Sequence, residues 1–152
     1  MKTNRFSYKS GELVISGEIL ESVEQVILNV KLPFKKNGVS VIKTEILNGL
    51  YFKGWCEEVQ IDKASKISIT SIYEKIGLCL QTGNISRIYA DLLKLQTLFA
   101  NDVISAGIII LPNSESAKLL GSNMANSERL IRELPIYKSA ISVPLVIISF
   151  GK

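Results

Sequence analysis

The sequence predicts an α/β fold with one mixed β-sheet flanked by helices, and three observations carry that prediction. Residues 76 to 80 alternate as a short buried strand, the residues after Asn84 carry a helical apolar stripe, and 103 to 111 is a near-continuous apolar run. A strand, a helix and a strand covered on both faces, in that order, make a right-handed crossover with a parallel pair. Alternating stretches before residue 76 add antiparallel neighbours, so the sheet is mixed. With 152 residues and 47% hydrophobic content, the chain reads as a single domain over 1–152 with a sizeable core.

In chain order, residues 1–17 are polar with scattered apolar residues. Leu13-Val14-Ile15 reads either as a short strand or as a patch packed on the body, and the segment is otherwise unassigned. From Glu18, the positions Ile19, Leu20, Val23, Val26, Ile27 and Val30 recur at helical spacing, which predicts a helix to about Val30 stopped by Pro33. Lys35-Lys36-Asn37-Gly38 is read as a turn with a basic tip. A second helix is expected from a Ser40 cap through Val41 to Phe52, with Gly54 just past its end, and the two helices should pack together against the sheet.

After Trp55 the period becomes two. Val59 and Ile61, then Ile67 and Ile69, then Ile76, Leu78 and Leu80 alternate with other residues, with turns at Lys63 to Lys66 and Ser71 to Glu74. The pattern predicts a three-strand antiparallel meander. Asn84 is read as the cap of a helix with Ile85, Ile88, Tyr89, Leu92, Leu95 and Phe99 in one stripe. Pro112-Asn113-Ser114 opens a short helix ending near Gly121, Asn126 or Ser127 caps another that stops at Pro135, and Val143 to Phe150 closes the chain as a strand.

Several chemistries are excluded at this level. The chain has no histidine, and Cys56 and Cys79 lack metal-ligand spacing, so neither a zinc site nor a histidine-based nucleophile relay is expected. Hydrolysis would need carboxylates and a divalent metal. Eighteen Lys and Arg against fourteen Asp and Glu give +4, which permits a polyanion partner without requiring one. The apolar runs are too short to span a bilayer and no basic segment followed by an apolar one opens the chain, so a soluble, cytoplasmic protein is expected.

The run Ile76-Gly77-Leu78-Cys79-Leu80-Gln81-Thr82-Gly83-Asn84-Ile85-Ser86-Arg87, followed by Tyr89-Ala90-Asp91-Leu92-Leu93-Lys94-Leu95-Gln96, resembles the core of the BglII and BstYI group of type II restriction endonucleases, relatives of the BamHI enzymes. Gly54-Trp55 after a helix, Ser105 to Ile110 as the next strand, and Leu119 to Leu134 extend the resemblance to roughly residues 40–150. It implies a restriction-endonuclease-like fold, duplex DNA as partner, magnesium-dependent phosphodiester hydrolysis at palindromic sites, and a homodimer or a heteromer with an active subunit. The group's active site carries an Asp and, nine residues on, a Glu-x-Gln on the next strand. Paired carboxylates hold a hard cation that polarises the scissile phosphate and lowers the pKa of the attacking water.

The pattern maps onto Thr70, Cys79 and Gln81, so the glutamine is kept while both carboxylate positions are degenerate. Neither a hydroxyl nor a neutral thiol replaces an anionic oxygen for Mg2+, and the resemblance therefore implies weak or absent metal binding. Asp62, at a longer spacing of the BamHI kind, could supply a carboxylate, or it could be a turn residue before Lys63. Glu58-Val59-Gln60 imitates the motif, or is a solvated strand edge. Glu45 and Asn48 lie where the group places an extra metal-side residue, or are surface helix positions. Cys79 as a nucleophile lacks an activating base and reads more simply as a small core residue, and an inward Gln81 needs a partner.

For DNA, the resemblance implies a contact at Asn84, compatible with a capping role. Arg87 and Lys94 could meet phosphates or water. Ser122, Asn123 and Asn126 form a polar loop that could reach base edges or simply link two helices. Three readings follow: a DNA-binding relative with impaired catalysis, an active nuclease using Asp62, Glu58 or Glu45 with Gln81, and a non-catalytic protein-interaction scaffold.

Overall fold

The computed structural model describes all residues except 32, 33, 36 and 37. Pro33, expected to stop the first helix, and the tip of the basic turn lie outside the described residues. The order of elements is strand β1 (Lys2–Tyr8), helices α1 (Gly11–Val14), α2 (Gly17–Leu28) and α3 (Val39–Phe52), then strands β2 (Val59–Asp62), β3 (Ile67–Ile69), β4 (Ser71–Tyr73) and β5 (Ile76–Leu80). Helix α4 (Arg87–Ala100), strand β6 (Ala106–Pro112), helices α5 (Ser114–Leu120) and α6 (Ser127–Glu133), a 3-10 turn at Leu134–Tyr137 and strand β7 (Leu145–Gly151) complete it.

Five strands form one sheet in the order β1-β7-β6-β5-β4. The inner pairs β5/β6 and β6/β7 are parallel and the outer pairs β1/β7 and β4/β5 antiparallel, so the sheet is mixed. Every residue of β5, β6 and β7 is buried, as unbroken apolar runs require when both faces are covered. One face packs Leu20, Val23 and Ile27 of α2 and Ile42, Ile46 and Leu50 of α3 against Ile76, Leu78 and Leu80. The other packs Ile88, Leu92 and Leu95 of α4 and Leu130 of α6 against Cys79, Ile109 and Ile147.

The crossover from β5 through α4 to β6 is therefore as expected, while other elements differ. Lys2–Tyr8, left unassigned by its pattern, pairs along its whole length with β7. Ile15 is buried on the body, and Leu13 and Val14 belong to helix α1, so the Leu13-Val14-Ile15 stretch is no strand. Helix α3 begins at Val39 after Gly38, so Ser40 is an interior residue and not its cap.

The expected three-strand meander divides in two. Strands β2 and β3 form a separate two-stranded sheet, and the stretch expected as a turn, Ser71 to Glu74, supplies β4. The ladder changes at Thr70, whose Oγ1 accepts the Leu80 N–H at 2.9 Å, a side chain replacing a backbone carbonyl. Glu74 and Lys75, at φ 45° and 63°, make the tight turn into β5.

A candidate active-site cleft

The cleft starts from the alternation of β5. Because side chains on a strand point to opposite faces, Leu78 and Leu80 enter the α2/α3 core while Cys79 and Gln81 face α4. The β4/β5 register pairs Tyr73 with Ile76, Ile72 with Gly77 and Ser71 with Leu78. Thr70 stands just before β4, its Oγ1 accepts the Leu80 N–H at 2.9 Å, and it lines one cleft with Cys79 and Gln81. Thr70 and Cys79 thus share the wall of one cleft.

Around them opens a cleft of about 580 Å³. Helix α3 contributes Lys43, Leu47 and Tyr51, the β2/β3 sheet and the loop before it Glu58 and Ser68, and α4 Arg87, Ala90, Asp91 and Lys94. The last four lie at i, i+3, i+4 and i+7, one face of a helix. Asp91 is the residue that sequence reasoning passed over. It lies between Ile88 and Leu95 on the stripe that packs inward, and a carboxylate at such a position was the signal that could have found it.

Asp91 answers the question of what an inward Gln81 bonds. The Gln81 amide donates to Asp91 Oδ2, and its Oε1 accepts the Gly83 N–H at 2.9 Å. Lys94 Nζ reaches Asp91 Oδ1 at 3.4 Å. Burial raises the Asp91 pKa above the ordinary carboxylate value, a shift opposed by the Gln81 bond and by Lys94 and Arg87. Burial also pushes the Cys79 thiol well above its usual range, with Asp91 adding to the rise and Lys94 opposing it. Cys79 is therefore a neutral thiol at neutral pH, a core residue and no nucleophile.

The other candidate residues scatter. Asp62 ends β2, and its Oδ2 accepts the Ser65 N–H of the following turn at 2.7 Å, a bond that lowers its pKa. It does not line the cleft. Glu45 and Asn48 line a separate groove of about 420 Å³ beside Val26 and Phe52, on another face of α3 from Lys43 and Leu47. Glu58 does line the cleft and accepts the Ser68 hydroxyl.

Asn84 is not the cap of α4, which starts two residues beyond the expected position. Its Oδ1 accepts from the Ser86 N–H at 3.0 Å and hydroxyl at 2.9 Å, closing a turn ahead of the helix. The loops holding Asn84 and Asn123 nevertheless meet. Ile85 N–H donates to Asn123 O at 2.8 Å, Ala125 N–H donates to Gly83 O at 2.9 Å, and Asn84 forms a bridge with Met124. Asn123 and Asn126 line a second cavity of about 230 Å³ with Lys118 and Arg129, and Ser122 is exposed beside it. Asn126 also caps α6 by accepting the Arg129 N–H at 3.0 Å.

The donors of the cleft do not suit magnesium. A hard dication needs anionic oxygens converging on one point. Thr70 Oγ1 is a neutral hydroxyl bonded to a backbone amide, Cys79 is a neutral thiol, Asp91 is held by Gln81 and the Lys94 ammonium, and Glu58, bonded to Ser68, is the other carboxylate of the lining. Among the described residues no group of three His, Cys, Asp or Glu side chains is placed to hold a metal ion.

The architecture is that of the restriction endonuclease fold. The structure superposes on restriction endonuclease BglII crystallised with a DNA 16-mer with a TM-score of 0.85 at 14% identity, over 98% of this chain and 76% of that one. Against free BglII the TM-score is 0.76 at 16% identity, over 100% of this chain and 80% of that one. No curated protein matches the sequence. The model of the restriction endonuclease family BglII/BglIII matches residues 4–150, and the chain belongs to that family.

Proposed function

We propose that this chain binds duplex DNA in the manner of its family and has lost most or all of the magnesium-dependent phosphodiester hydrolysis. The observation that carries this reading is that Thr70, Cys79 and Gln81 line one cleft, the first two at the places where the family pattern has carboxylates. With a hydroxyl and a thiol there, the family positions lack the paired carboxylates that would assemble a metal-activated water. The similarity to a BglII–DNA complex supports duplex DNA as the partner, with the loops at Asn84 and 122–126 as its contacts. Either a homodimer or a heteromer with an active subunit would supply the second half-site, in a cytoplasmic setting; among the described residues no helix is long and apolar enough to cross a membrane.

Plasmid nicking with magnesium or manganese tests the proposal. The unmodified chain should leave supercoiled plasmid intact, and the Thr70→Asp plus Cys79→Glu double substitution should create cleavage. A second reading, an active nuclease with Glu58 beside Gln81, is favoured by the presence of Glu58 in the same cleft. Cleavage by the unmodified chain that disappears in Glu58→Gln would establish that reading and overturn the first. Failure to shift any duplex at low salt would remove DNA altogether and leave a protein-interaction scaffold.

A further inference from the structure

We propose that the cleft holds a DNA phosphodiester without any divalent cation, Lys94 supplying the positive charge that a metal would otherwise bring. The inference rests on the duplex-binding reading above and goes beyond it in naming the group that replaces the ion.

The charge balance of the cleft motivates it. Its lining carries three cations, Lys43, Arg87 and Lys94, against two carboxylates, Glu58 and Asp91. The net charge is +1, matched to one phosphodiester. Had Thr70 and Cys79 been the Asp and Glu of the family pattern, the same lining would stand at −1. It would then repel a phosphate until a metal ion entered. Losing the two carboxylates therefore removes the need for the metal as well as the means of holding it.

Position singles out Lys94 among the three. Its side chain is 28% exposed, and its ammonium is anchored at 3.4 Å to a carboxylate whose side chain is only 8% exposed. That carboxylate is fixed in turn by Gln81, and both charges act on Cys79, a family metal position. A lysine ammonium has three donors. Asp91 occupies one direction, and the exposed remainder faces the cleft. Arg87 lies two turns away on the same face of α4, its side chain folded against Gly83, placed to take a neighbouring phosphate.

The test measures binding of a fluorescently labelled mixed-sequence duplex across a monovalent salt series, in EDTA and again with magnesium chloride. The unmodified chain should bind in EDTA, with magnesium acting only as added ionic strength. Lys94→Gln should flatten the slope of log K against log salt by about 0.9, one phosphate contact, which amounts to about an eightfold loss of affinity at ~0.1 M salt. Lys94→Arg should keep slope and affinity. Because Lys94→Gln leaves Asp91 without its cation, the Asp91→Asn plus Lys94→Gln pair is measured beside it and should show the same flattening. Binding that needs magnesium, or a slope unchanged in both variants, overturns the inference while leaving duplex binding intact. Absence of binding under every condition overturns the duplex-binding reading, and this inference with it.

Discussion

Replacing Gln81 with leucine probes the polar core of the cleft most directly. The substitution removes two bonds at once: the amide donation to Asp91 and the acceptance of the Gly83 N–H at 2.9 Å. A hydrogen bond to a charged group contributes about 1.5–3 kcal/mol. The Gly83 amide is half-buried and can turn to water, so its loss adds only about 0.5–1 kcal/mol. Leucine returns about 1 kcal/mol through apolar burial at a position only 7% exposed. The net destabilisation is about 2 kcal/mol, or ~4–8 °C in melting temperature for a chain of this size. Thermal unfolding followed by circular dichroism reads it. A double-mutant cycle with Asp91→Ala assigns it: the double variant should be less destabilised than the sum of the singles by about 1–2 kcal/mol, since Gln81 and Asp91 lose the same bond. Melting of Gln81→Leu at the parent temperature, or additivity in the cycle, would refute the linkage between strand and helix.

Two further outcomes follow from the packing and the electrostatics. Gly11→Ala should destabilise by more than about 1–3 kcal/mol, because its new Cβ would lie 2.2 Å from the Leu145 backbone oxygen, which cannot move aside. Gly17→Ala, with nothing within 4 Å, should stabilise by about 0.4–1 kcal/mol, and denaturant midpoints that fail to rank the two this way contradict the packing of α1 on β7. Asp91 sets a pH dependence. Its folded pKa is raised by burial, with Gln81, Lys94, Arg87 and Cys79 around it, so the folded chain holds the proton more tightly than the unfolded one. The contribution is fully present below the ordinary carboxylate range and is lost as pH rises through the folded value. The stability of the parent relative to Asp91→Asn should accordingly fall between acid and neutral pH, and a flat or rising difference would refute the assignment.

The crossover was legible because its signals are strong. Three apolar runs and a helical stripe leave few alternatives. Strand β1 was illegible for a physical reason: it lies at the sheet edge, and its burial alternates weakly among Lys2, Asn4, Arg5 and other polar residues. The break between β3 and β4 depends on one threonine hydroxyl substituting for a carbonyl, which no periodicity records. In the cleft, the shared face of Cys79 and Gln81 was readable from alternation, while Thr70 came from the family pattern. Asp91 was hidden because the helix stripe was traced only through apolar positions, and Glu45 was misleading because neighbouring residues of one helix face different grooves.

Gly83 joins the cleft to the loop between α5 and α6 through its own backbone. Its N–H donates to Gln81 on the floor of the cleft, and its carbonyl accepts from Ala125 in the loop between α5 and α6. One residue therefore ties the loop to the cleft. The loop 122–126, Gln81 and, through Asp91, Lys94 are linked by one continuous chain of hydrogen bonds and an ion pair.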